Sequence, residues 1–192
     1  MVDAAVRCFA RQGYQAASMD GIAELAGVSK PLVYLYVGSK EELFTTVIRR
    51  EAGALLGAVA AGVGGPGVPP DERLWAGLLA FFTYAAEQPD SWVVLSRQAR
   101  THGEPFAGEV ARMRDEIVAF VAGLIREAAG ESGITGRDVD ALAQALVGSA
   151  ESLASWANET PGVTAKEAAA TLMNFAWAGL GNLMKSGRWS PR

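Results

Sequence analysis

The stretch SMDGIAELAGVSKPLVYLYVGSKEEL, residues 18 to 43, holds three serines, each followed by a short helix-forming run, with Gly27 and Gly38 set between the runs. A serine ahead of a helix accepts a hydrogen bond from a first-turn amide that has no intrahelical partner, and an acid in that turn suits the positive end of the helix dipole. Ser18 with Asp20 reads as one such start, and Gly27 as its stop. Ser29 opens a second helix, where Pro31 is tolerated because its missing N–H would have had no intrahelical partner. Ser39-Lys40-Glu41-Glu42 has the form of a capping box in which Glu42 reaches back to the Ser39 amide. Three helices therefore begin in close succession.

Counted from Met19, the first two form a helix-turn-helix. Ala23 is the small residue at the crossing, Gly27 the turn, and Ile22, Ala26, Val28, Val33 and Tyr36 the inward apolar positions. The same spacing describes an ordinary αα corner, so the outward face of the second helix has to discriminate. At about 100° per residue, Val33, Tyr36 and Val37 lie on one side, Pro31, Tyr34 and Leu35 on the other, and Lys30 and Leu32 at the borders. A proline, a tyrosine and a leucine make a poor solvated face. They suit a major groove, where apolar atoms meet thymine methyls while hydroxyl and ammonium donors meet phosphates and base edges. Lys30 reaches a guanine edge or a phosphate from the helix start, and the amides at the Ser18, Ser29 and Ser39 starts, aided by Lys40, hold phosphates.

Residues 1 to 47 resemble the DNA-binding domain of the TetR family of bacterial transcriptional regulators. The resemblance is carried by Ile22-Ala23-Glu24-Leu25-Ala26-Gly27-Val28-Ser29, by Tyr34-Leu35-Tyr36 and by Ser39-Lys40-Glu41-Glu42-Leu43. It implies an all-α fold of about nine helices: a three-helix helix-turn-helix domain over residues 1–46, then a helical effector-binding and dimerisation domain over 47–192. It implies base-edge contacts from Lys30, Pro31, Leu32 and Leu35, and backbone contacts from Ser18, Ser29, Tyr34, Tyr36 and Lys40, although spacing also turns Tyr36 inward. Family members usually carry a basic arm before helix one. Here the sequence reads Met1-Val2-Asp3; either the numbering begins late relative to the native start or affinity is reduced, in which case binding is expected to depend more on dimerisation.

Helical periodicity continues on both sides. Val2, Ala5, Val6, Phe9 and Ala10 form one apolar face, ended by Gly13. The Ser39 helix runs on toward Val59, and the glycine- and proline-rich residues 62–70 form a turn or linker. With no strand before it and no Gly-Lys-Ser/Thr after it, that stretch is not a phosphate-cradling loop. Further helices are expected over 71–87, 90–101, 106–129, 137–158 and 164–186, with a break at Pro161-Gly162. Gly148, Ala150, Ala154, Ala176, Gly179 and Gly181 in the last two helices permit the close approach of an intersubunit four-helix bundle, which the family resemblance implies; an internal helix pair would use them equally well. Trp75, Phe81, Phe82, Trp92, Phe106, Met113, Ile117, Phe120 and Trp156 are candidates to line an apolar effector pocket, with Arg97, Arg100 or His102 as polar handles, and each also fits a plain core.

Composition narrows the remaining possibilities. The single cysteine, Cys8, excludes an internal disulfide and a multi-cysteine metal site, which suits the cytoplasm and makes it inert packing. The N-terminus lacks a signal-peptide pattern, and charge interrupts every apolar run before the ~20 residues of a membrane span. The net charge is −4, yet residues 1 to 50 hold six Lys/Arg against five Asp/Glu, a mild asymmetry toward a DNA-reading head on an acidic body. There is no nucleophile elbow, no metal-ligand spacing and a single histidine, His102, in a loop-like setting expected to be solvated. Asp138 and Asp140 sit near a helix start, where they favour the dipole. No catalysis, cofactor or metal is expected. The partners expected are double-stranded operator DNA, a small apolar or aromatic effector and a second copy of the chain through the last two helices, with no membrane. The function expected is that of a repressor released by its effector; the alternative is a helical ligand-binding or dimerisation protein whose head no longer binds DNA.

Overall fold

The computed structural model describes residues 1–65, 67–129 and 135–184, with side chains described through 179. All regular structure among the described residues is helical: α1 (Val2–Ala16), α2 (Met19–Ala26), α3 (Lys30–Val37), α4 (Lys40–Gly62), α5 (Pro70–Glu87), α6 (Pro89–Val93), a π turn over Val94–Gln98, α7 (Ala99–Thr101), α8 (Phe106–Ala129), α9 (Gly136–Glu159) and α10 (Ala165–Met184). Because α6, the π turn and α7 follow one another without a break, the described residues hold nine helical segments and no strand. Helix content and order thus match the all-α expectation. The expected extension of the last helix to 186 lies outside the described residues, as does any side-chain packing around Gly181.

Local chemistry sets the helix ends. Gly13, at φ 79° and ψ 162°, breaks α1 where the apolar periodicity stops, and one further turn runs to Ala16. Ser18 Oγ accepts from the Gly21 N–H at 3.0 Å, and Gly27 ends α2 at φ 68°, ψ 28°, a left-handed conformation that glycine adopts without a Cβ clash. Ser29 occupies the cap position of α3 but makes no side-chain capping bond. At Ser39 the capping box closes differently from the expectation. Ser39 Oγ accepts from the Glu42 N–H at 3.1 Å, but Glu42 Oε2 takes the Ser39 hydroxyl at 3.3 Å rather than its amide. The tight turn already commits that amide to the Val37 carbonyl at 2.7 Å.

By packing, the chain forms two compact units: residues 1–55 with 88–114, and 56–87 with 115–192. In the first, α1, α2 and α3 form the head, and the α6–α7 run and the start of α8 share its core. Phe9 and Phe44 are completely buried. The Phe44 ring lies 4.7 Å from Phe9, 4.8 Å from Tyr14 and 4.8 Å from Phe106, centroid to centroid. Phe106 and Trp92, two of the pocket candidates, are both buried within this unit. Ion pairs surround that core: Arg50 bridges Asp3 and the buried Glu51 at 2.6 Å each, and Arg49 meets Glu109 at 2.6 Å. In the second unit α10 packs against α5 and α9, α5 also packs against α9, and Asn158 Nδ2 donates to the Ala85 carbonyl at 2.8 Å.

Removing the Phe44 ring strips three aromatic partners and leaves a cavity with no water-accessible side. Phe44→Ala should lower unfolding free energy by about 3–5 kcal/mol, read by urea denaturation followed by circular dichroism. A loss below 1 kcal/mol would show that the cluster collapses around the gap.

Candidate nucleic-acid interface

The face of the head that can meet a groove is built by what α3 fails to bury. Val33 is the one fully buried side chain of this eight-residue helix. Tyr34 is 43% exposed, Tyr36 73% and Leu35 80%, with Lys30, Pro31 and Leu32 open beside them. Tyr36 therefore does not take the inward position its spacing suggested. It lies about 60° from Val33 around the helix, on the shoulder rather than the buried line, while half-buried Val37 continues that line. Ile22, Ala23 and Val33 form the buried helix crossing, with Ala26 and Val28 half-buried at its edge.

The polar candidates divide by what else they already bond. Ser18 Oγ is engaged by the Gly21 amide and Ser39 Oγ by Glu42, whereas the Ser29 side chain makes no such bond and its hydroxyl is at the exposed start of α3. Lys40 Nζ donates to the Gln15 carbonyl at 3.0 Å and lies 4.8 Å from the centroid of the Tyr14 ring. Neither partner neutralises its charge, so the ammonium keeps its pull on an anion. Lys30 Nζ sits 2.8 Å from Asp20 Oδ1 and 3.0 Å from Asp20 Oδ2, and this hydrogen-bonded carboxylate raises the lysine pKa.

A support that the sequence did not reveal stands behind Lys40. The break at Gly13 frees the Tyr14 amide from regular helix, and Gln98 Oε1, at the end of the π turn, accepts from it at 3.4 Å. The Gln98 carbonyl in turn lies 2.6 Å from His102 Nδ1, and the His102 ring meets Tyr14 edge-on at 5.3 Å. His102 is thus half-buried against the head, not the solvated loop histidine expected. A π turn leaves no periodicity signal strong enough to read, and the Tyr14–Gln98 bond spans 84 residues.

The apolar pocket candidates are divided between the two units. Trp92, Phe106 and Met113 lie in the first unit, whereas Trp75, Phe81, Phe82, Ile117, Phe120 and Trp156 lie in the second. Trp156 is 53% exposed in the protomer. A half-open cleft of about 220 Å³ in the second unit has Asp71, Leu74, Leu124, Ile125, Ala128 and Trp177 among its walls, and none of the nine candidates lines it. Among the described residues no group of acidic, histidine or cysteine side chains could hold a metal ion, and no helix is long and apolar enough to cross a membrane.

Comparison with known proteins agrees with this geometry. Residues 1–47 match the family described as bacterial regulatory proteins, tetR family, and residues 70–179 match the tetracyclin repressor-like C-terminal domain. The chain belongs to the TetR family of transcriptional regulators. A TetR-like transcriptional regulator from Rhodococcus sp. RHA1 is 37% identical and superposes with a TM-score of 0.83 over 94% of this chain and 93% of that one. The transcriptional activator FasR of Mycolicibacterium smegmatis is 29% identical over 94% of this chain and 81% of its own length. The regulator BetI of Rhizobium meliloti is 35% identical over 107 residues, 54% of this chain and 52% of its own.

The two serines give a direct test of the local geometry. Ser18→Ala removes a capping bond and should cost about 1 kcal/mol in a denaturant melt. Ser29→Ala removes none and should cost at most a few tenths of that, so equal losses would contradict the difference between the two caps.

Proposed function

We propose that this TetR-family regulator is a homodimeric repressor that reads a palindromic operator through α3 and leaves it when a small apolar or aromatic effector binds the second unit. The observation that carries the DNA-reading half is the outward face of α3, where Leu35 and Tyr36 are 80% and 73% exposed in a helix that buries only Val33. Water gives such a face no stability. A major groove gives it thymine methyls for Pro31, Leu32 and Leu35, a base edge for Lys30 and phosphates for Ser29, Tyr34, Tyr36 and Lys40. Ser18, its oxygen already committed, contributes through the amides at the start of α2.

Pairing through α9 and α10 is supported by Trp156, Phe175 and Trp177, large apolar side chains that are each more than half exposed. Of the small residues that suggested this face, Ala150, Ala154 and Ala176 are already buried within the protomer, so the aromatic residues and not the small stripe support it. Trp75, Phe81, Phe82, Ile117 and Phe120 give the second unit the apolar side chains an apolar effector needs. Effector binding then alters the separation of the two recognition helices, which must lie about 34 Å apart to read one palindrome. Activation is the second reading, favoured by the likeness to FasR over nearly the whole chain. A reporter with the operator overlapping its promoter separates the two by the sign of its response.

Selection of bound duplexes from a random pool should return a palindrome with half-sites one helical turn apart, and a pool without enrichment would sink the reading. On the recovered operator Tyr34→Ala should lower affinity more than tenfold while sedimentation and circular dichroism stay unchanged. Lys40→Ala should reduce the slope of log affinity against log salt by about 0.9, the release expected for one phosphate contact. A flat salt response in the parent protein would instead favour a ligand-binding protein with an idle head. Phe175→Glu should convert a dimer to a folded monomer, since the side chain is 74% exposed in the protomer.

A further inference from the structure

Lysine is an odd residue to begin α3. The positive end of the helix dipole opposes a cation there, and the first turn of α3 holds no acid to offset it. The offset comes from another helix: Asp20, in the first turn of α2, holds the Lys30 ammonium with both carboxylate oxygens, at 2.8 and 3.0 Å. The two side chains are 51% and 66% exposed, and ion pairs that open to water contribute little to folding. Asp20 also suits the dipole at the start of α2, but fold stability does not explain a lysine placed opposite it.

We propose that Asp20 is a specificity-determining positioning residue, which holds Lys30 against α2, masks its charge from phosphates and reserves it for a base edge that can match the carboxylate. This inference rests on the DNA-reading function proposed above. A free ammonium at the tip of a recognition helix binds any nearby phosphate, which adds affinity for every sequence alike. Paired with a carboxylate, it presents little net charge to the backbone, and the carboxylate repels phosphates that approach the pair. A guanine offers two acceptors, O6 and N7, without a full negative charge. An ammonium has three N–H groups, so it can keep Asp20 and still donate to the guanine. Asp20 thereby converts a general attraction into a preference for guanine at one place in each half-site. The Ser29 hydroxyl, free of a capping bond at the same helix start, remains for the phosphate that Lys30 is kept from.

The test uses the full-length protein, its selected operator and a non-operator duplex of the same length. Asp20→Asn should raise affinity for the non-operator duplex several-fold at 0.05 M salt and steepen its log–log salt slope by about 0.9, because one more phosphate contact forms. Operator affinity should change less, so the ratio of the two falls. Asp20→Glu should restore the parent ratio. In a Lys30→Met background Asp20→Asn should leave the slope unaltered, which a purely structural role for Asp20, or direct repulsion of DNA by its charge, would not produce. Selection with the Lys30→Met protein should lose a guanine preference at one position of each half-site. An unchanged ratio and slope in Asp20→Asn, with the parent still selecting an operator, would overturn this inference alone. A parent protein without salt-dependent DNA binding would overturn the DNA-reading function, and this inference with it.

Discussion

An eight-residue helix with one buried side chain cannot hold its own shape in water, because a helix this short does not recover the cost of its nucleus. Everything around α3 compensates for that. Val33 is fully buried, the turn at Gly27 fixes the approach from α2, and the Ser39 cap restarts the chain immediately after Gly38. The helix can leave its outer face to Pro31, Tyr34 and Leu35 only because its neighbours supply the order that its own packing does not. Interaction surface and instability are in this sense the same property of the segment.

The same logic reaches back into the unit through Tyr14. The backbone break at Gly13 lets the Tyr14 ring turn into the cluster of Phe9, Phe44, Phe106 and His102, and Gln98 takes up the amide that the break released. The outer side of that ring then faces the Lys40 ammonium, which also holds the carbonyl of Gln15. One broken turn of α1 is thus fixed from two directions, by the π turn behind it and by the first residue of α4 in front. Lys40 stands where it does because residues far along the chain hold its partners.

Local chemistry explains what could be read from the sequence. Serine caps, stop glycines and apolar spacing act over three or four residues, so most helix starts and the buried positions Ile22, Ala23 and Val33 follow from the order of residues alone, whereas the last turn of α1 and the π turn do not. Tyr36 was ambiguous because a position on the shoulder of an amphipathic helix is decided by how much of its neighbour covers it. The burial of Phe106 and the exposure of Trp156 were illegible for the same reason: apolar periodicity places a side chain on a face but does not say whether a core, a partner or water lies opposite. The Gln98 support and the Lys30–Asp20 pair depend on side chains that meet across helices, and nothing in a serine-lysine pair announces which acid will hold it.

The mild positive balance of the head takes on a different meaning once its partners are known. Arg50 is held by Asp3 and Glu51, Arg49 by Glu109, Lys30 by Asp20, and Arg11 lies 4.0 Å from Asp90. Three of the six cations in residues 1–50 are therefore hydrogen-bonded to carboxylates of the same unit and a fourth lies at ion-pair distance, so a charge count overstates the field that DNA would meet. Non-specific attraction grows with each phosphate that a free cation neutralises, so a head built in this way holds random sequence weakly. In the proposed complex, affinity has to come from contacts that demand geometry: helix-start amides, the ring-held Lys40, the apolar surface of Pro31, Leu32 and Leu35, and two heads engaged at once. Such contacts all fail together when the spacing between heads changes, whereas a diffuse basic patch would lose little. Internal pairing of its charges would thus make the head sensitive to geometry, which is the property that the proposed switching by a change of shape requires.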